Sequence, residues 1–147
     1  MFVYSVKFIC GTQNPSTACT PVRQGAYATE INIHNFHPVV TPPLPPAHIQ
    51  KRILLLVHNN QTVGLEPQIA NAQNFASITL PPDSATMDDC CNIGPNFKPN
   101  LLNIGFLELV SDVLVNVTAV YTATEQSSAG VSSGISIDVV TVSPQQV

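Results

Sequence analysis

Four cysteines and four histidines carry most of the reactive chemistry of this 147-residue chain. Cys10 closes an alternating apolar segment, Cys19 follows in a Pro/Thr-rich loop, and Cys90 and Cys91 are adjacent. His34 and His37 sit at the end of a second alternating segment, while His48 and His58 stand apart. Three readings of this set compete. Two disulfides would use all four cysteines in an oxidising compartment, with three pairings that sequence does not separate. A direct Cys90–Cys91 bond would close a strained ring, so each should reach elsewhere. Alternatively, His34, His37, Cys90 and Cys91 supply the imidazoles and thiolates of a tetrahedral zinc site, although Cys-x-x-Cys spacing is absent. In the third reading the thiols are buried and free, the histidines face solvent, and neither has a function.

Catalysis finds less support. A Cys90 or Cys91 nucleophile with His34 as base would lie beside Asp88 and Asp89, which raise a thiol's pKa and disfavour the thiolate. A helix expected over 84–92 would place both cysteines in its last turn, away from the N-terminal dipole. Glu30, Glu66 and Glu108 are isolated acids, and there is no Gly-rich phosphate loop and no Gly-x-Ser-x-Gly. No catalytic residue is assigned, and a non-enzyme is expected. Two glycosylation sequons occur, at Asn60 and Asn116, and Asn60 in a loop is the better acceptor.

The elements that position these groups are strands. Over 113–124 the odd positions read Val, Val, Val, Ala, Tyr, Ala, whereas Asn116, Thr118, Thr122 and Thr124 fall on the other face. Similar signals predict strands near 2–10, 25–35, 51–57, 75–80, 102–110, 113–124 and 134–142. Seven antiparallel strands with almost no helical periodicity imply an all-β fold, a single jelly-roll or Ig-like β-sandwich domain over 1–147. The one helix, over 84–92, would be capped by Asp83 or Ser84 and stopped by Gly94-Pro95. A tight turn is expected between two strands at 109–113 and a loose hairpin tip at 127–134. The proline-rich stretch 38–47 reads as a stiff connector between sheets, ahead of an arm that lies across a neighbouring subunit.

The blocks Tyr27-Ala28-Thr29-Glu30-Ile31-Asn32-Ile33-His34-Asn35, Ala85-Thr86-Met87-Asp88-Asp89-Cys90-Cys91, Ile104-Gly105-Phe106-Leu107-Glu108 and Val117-Thr118-Ala119-Val120-Tyr121-Thr122-Ala123 add a comparison. Together they resemble a group of small prokaryotic β-sandwich proteins that share these blocks in this order. The resemblance covers most of the chain and implies the sandwich, but no activity. A shorter likeness, over Leu109 to Thr124, is to the small β-sandwich sensory rhodopsin transducers and implies no residue role.

Composition narrows the function classes. Only 10% of residues are charged, against about 25% in ordinary domains. With five Lys and Arg and a net charge of −4, there is no basic stripe for nucleic acid. No apolar run reaches the roughly 18 residues that span a bilayer. The segment 1–10 alternates and so reads as a first strand, not a signal peptide. Neutral polar strand faces suit contact between copies of the chain, because burying an amide costs less than burying a charge. The expectation is a structural protein whose partners are copies of itself, forming an extracellular or cell-surface filament or layer without a cofactor. Strand addition would use the apolar segment at one terminus, 2–10 or 135–142. The rival is a soluble metal- or ligand-binding module, with zinc at the His/Cys set and a cytoplasmic location left open by the unmarked start.

Overall fold

In a computed structural model that describes residues 1–16, 18–64, 73–126 and 132–147, the chain is built almost entirely of antiparallel strands. They are β1 (Phe2–Gln13), β2 (Gly25–Asn35), β3 (Ala47–His58), β4 (Gln61–Thr62), β5 (Gln73–Leu80), β6 (Ser84–Asp89), β7 (Asn103–Ser111), β8 (Asn116–Gln126), β9 (Ser132–Val142) and β10 (Gln145–Gln146), with one helical turn, α1 (Cys90–Ile93). Glu66 and positions 127–131 of the expected hairpin tip lie outside the described residues.

The strands form two sheets that share β1. In the first, β3 lies beside β7, β7 beside β1, and the short β4 and β5 flank β3, while β10 flanks the start of β1. In the second, β2 pairs β6 on one side and β8 on the other, and β9 follows β8 at the edge. The period-2 pattern puts Tyr4, Val6, Phe8 and Cys10 of β1 into the interior, facing Ile31 and Ile33 of β2 and Val117 and Ala119 of β8. The all-β sandwich read from the sequence is therefore the architecture, with three more strands than periodicity signalled.

β1 passes from one sheet to the other at a corner. Residues 2–10 pair β7, whereas Gly11, Thr12 and Gln13 pair Tyr27, Ala26 and Gly25 of β2. Gly11 turns the strand with φ of 101°, and a Cβ there would collide with the carbonyl oxygen of Leu101. One step further, β1 and β2 have parted, and Thr29 fills the gap with its hydroxyl. Its Oγ1 accepts from Ile9 N–H at 2.9 Å and donates to the Ile9 carbonyl at 3.0 Å.

Three expectations are corrected. The helix over 84–92 is instead strand β6 followed by the four residues of α1. Asp88 reads as polar in the sequence but faces inward to a lysine, which lets the segment pair with β2 against its weak strand propensity. The expected turn at 109–113 does not join paired strands: β7 and β8 belong to different sheets, and residues 112–115 cross between them. For the same reason the strand expected from 113 starts at Asn116. The crossing is held by Tyr4, whose hydroxyl donates to Val115 O at 2.7 Å and accepts from Val115 N at 3.0 Å. The proline-rich stretch 38–47 joins β2 of the second sheet to β3 of the first.

Removing the Tyr4 hydroxyl leaves a buried Val115 N–H and C=O unpaired, so Tyr4→Phe is expected to lower stability by about 1–3 kcal/mol in urea unfolding. Burial pushes the Tyr4 phenol above its ordinary 10.0, against the opposing hydrogen bond to Val115. Burial, and then Asp138, push Tyr121 in the same direction. A phenol that ionises less readily when folded contributes stability that is fully present below pH 10.0 and is lost as pH rises from there through the folded values. Stability should fall on that alkaline limb, and Tyr121→Phe should reduce the slope measured by denaturation at successive pH values.

Candidate functional site

The chemistry-bearing residues gather where β1 and β2 part. Asp89 ends β6 with an extended backbone, and its Oδ1 accepts from Cys91 N and Asn92 N, each at 2.9 Å. Asn92 returns the contact by accepting from Asp89 N–H at 3.5 Å, and buried Ile93 anchors the turn to the core. This cap turns Cys90 inward toward Cys10, and the two form a disulfide with Cα atoms 5.7 Å apart. Thr29 N–H points at Cys90 Sγ from 3.3 Å, so the same threonine touches both strands and the bridge. The bond closes a loop of 80 residues and ties the end of the first sheet to α1 on the second.

The other two cysteines of the expected pairings, Cys19 and Cys91, are exposed and free. Beside the bridge lies a groove of about 440 Å³, walled by Tyr27, Phe97 and Pro99 with Cys91 and Lys98 at its lining. Phe97 reaches under it to stack on Phe8, ring centroids 5.9 Å apart.

The residues of the expected zinc set do not converge. Cys90 is oxidised, and His34 sits four register steps along the β2–β6 pair from Asp89, opposite Ala85, which is roughly 13 Å at the strand rise. His34 Nε2 is 4.0 Å from Asp83, and His37 stacks on Phe36 beyond the end of β2. Among the described residues no group of three or more His, Cys, Asp or Glu side chains forms a metal-binding cluster. The thiol-nucleophile argument also changes its terms. The cysteines open α1 instead of ending it, Asp89 serves as the cap, and Asp88 turns away into the core. Of the single acids, Glu30 accepts from Asn32 Nδ2 at 2.7 Å and Glu108 pairs with Arg52 across β7 and β3. The two sequon asparagines differ in engagement. Asn60 lies in the β3–β4 turn with φ of 69°, its Oδ1 accepting from Leu102 N at 2.7 Å, whereas Asn116 is exposed at the start of β8.

Two features escaped the sequence reading. Lys51 of β3 and Asp88 of β6 form an ion pair at 2.6 Å, with side chains only 4% and 8% exposed, spanning the two sheets. The one sequence signal for it is that Lys51 keeps phase with Ile49 and Ile53, whose positions face the core. The second is β9. It pairs only β8 among the described strands, and its Ile135, Ile137 and Val139 are 67%, 66% and 61% exposed. They extend the outer face formed by Thr124, Thr122 and Val120 of β8.

No protein-family model matches the chain, and no curated protein matches it significantly. The solved structure of Thermotoga maritima 1070 is similar over 94% of this chain and 92% of its own, with a TM-score of 0.43 and 9% identity. A likeness of that size carries no site residue across. Together, fold and site define a disulfide-bridged β-sandwich.

Thiol titration of the unreduced, denatured protein is expected to find two free thiols, Cys19 and Cys91. Reducing the bridge, or replacing it in Cys10→Ser/Cys90→Ser, should lower stability by about 2–5 kcal/mol, because it frees a long loop in the unfolded chain.

Proposed function

We propose that this protein is a non-enzymatic structural subunit that assembles with copies of itself into an extracellular or cell-surface filament or layer, using β9 as the joining strand. The observation that carries this reading is the β9 edge. It is 11 residues long, exposes Ile135, Ile137 and Val139 on one face, and has Asp138 as its single charge. Its outer backbone N–H and C=O groups have no ladder partner among the described strands. An edge of this kind, without lysines or prolines to block it, is a template for another strand. A second copy of β9 is self-complementary to it in antiparallel pairing.

Of the two terminal segments considered for strand addition, 2–10 is committed to its own fold. It pairs β7 along its length, and its other edge is met by β10, by the Tyr121 hydroxyl on Lys7 O at 2.7 Å, and by Thr29. The segment 135–142 is at the edge and is the better candidate. The neutral face Asn116, Thr118, Thr122 and Thr124 lies outward beside it and would continue the contact. The disulfide supports an oxidising location for the assembly.

Light scattering after size exclusion is expected to show species larger than a monomer that grow with concentration, with ordered assemblies in electron micrographs. Ile137→Lys/Val139→Lys, which adds charge at exposed positions without touching the core, should give a folded monomer. A wild-type chain that stays monomeric at high concentration, or a double variant that assembles as before, would overturn the proposal.

A further inference from the structure

Lys51 and Asp88 are the two charged residues that the fold buries among the described residues, and they lie on different sheets. Lys51 stands opposite Leu109 of β7 in the register, and Asp88 stands opposite Ile31 of β2, both fully buried apolar residues. Their heteroatoms meet at 2.6 Å. That contact holds Nζ against the oxygen bonded to the Asp88 carboxyl carbon, so a rotation of the carboxyl group is enough to reach a near-attack arrangement, in which reacting atoms stand about 3–3.5 Å apart. Rigid strands hold both stems, so the amine meets the carboxyl at an effective concentration far above any in solution. Charges in such surroundings are strongly disfavoured unless paired, and the neutral amine and acid are related to the ion pair by one proton transfer along the existing hydrogen bond.

We propose that Lys51 and Asp88 condense into an intramolecular isopeptide bond that joins the two sheets covalently. The ammonium first passes a proton to Asp88 Oδ2, leaving a neutral amine and a neutral carboxylic acid. The Nζ lone pair then attacks Cγ, forming the C–N bond. The C–OH bond breaks, the remaining proton lost by nitrogen goes to the departing hydroxyl, and one water leaves. No oxidant, reductant or cofactor is consumed. The product is a neutral amide, which removes both charges from the core and adds a second covalent tie between the sheets besides Cys10–Cys90. The proposal does not depend on self-assembly, since the bond lies within one chain.

Intact mass spectrometry of the reduced, denatured full chain decides it. The expected mass is one water below that of the sequence, and protease mapping should yield a branched peptide containing both Lys51 and Asp88, with Lys51 resistant to trypsin. Chain purified in denaturant from an unfolded source should carry the full mass and lose the water on refolding. Lys51→Arg, which keeps a cation beside Asp88 but lacks the amine, should retain the full mass. The wild-type reading stands whether or not that variant folds. A full sequence mass for the folded wild type, or a lost water that maps to another residue, would overturn the proposal and leave the pair as an ion pair.

Discussion

The structure depends on one strand serving two sheets. β1 pairs β7 as far as Cys10 and β2 from Gly11 onward, so the backbones of β1 and β2 must part within two residues. Parting leaves polar backbone groups of β1 without a ladder, and an unpaired buried group is costly. Side chains from the second sheet meet that demand: Thr29 binds both the N–H and the carbonyl of Ile9, and Tyr121 binds the carbonyl of Lys7. The disulfide sits at the same corner and receives the Thr29 N–H. The bridge thus fixes the point from which the two sheets diverge, and the apolar faces of β1, β2 and β8 close over one core.

The distribution of charge follows from the same architecture and bears on function. With few charged residues in the chain, two of them are drawn into the interior as Lys51–Asp88, and Arg52 and Glu108 form an ion pair on the first sheet. The outer face of the second sheet carries Ala28, Glu30, Asn32 and His34 of β2 beside Thr118, Val120 and Thr122 of β8, so Glu30 is the one carboxylate on these two strands' outer face, and beyond them lies the apolar β9 edge. In the proposed assembly the neutral positions of this face and the β9 edge would lose little on desolvation, and Glu30 would carry most of the cost. The two strands also differ in place: β1 is interior and holds the sheets together, whereas β9 is peripheral.

Legibility in the sequence tracked how local each signal was. The alternation in 2–10, 25–35 and 113–124 is a property of neighbouring residues, and it correctly placed Tyr4, Phe8, Ile31, Ile33 and Val117 in the core. β6 was hidden because Ser84–Asp89 has weak strand propensity and its inward carboxylate is sensible only once Lys51 is seen across the core. The start of β8 was misjudged because Val113 and Val115 continue the alternation while the chain is already crossing between sheets, held there by a tyrosine 111 positions away. The cysteines were recognisable as disulfide candidates, but the choice of Cys10 with Cys90 arises from the corner geometry and the Asp89 cap, both long-range consequences of the fold. Periodicity likewise shows that 134–142 is apolar without showing that nothing pairs its far edge among the described strands.

Amide hydrogen exchange over a concentration series reads out whether β9 is the joining edge of the subunit. β9 amides are expected to become protected as concentration rises, while those of β1, already satisfied within the fold, do not change. Unchanged exchange along β9 at every concentration, or protection that appears at another edge instead, would contradict it.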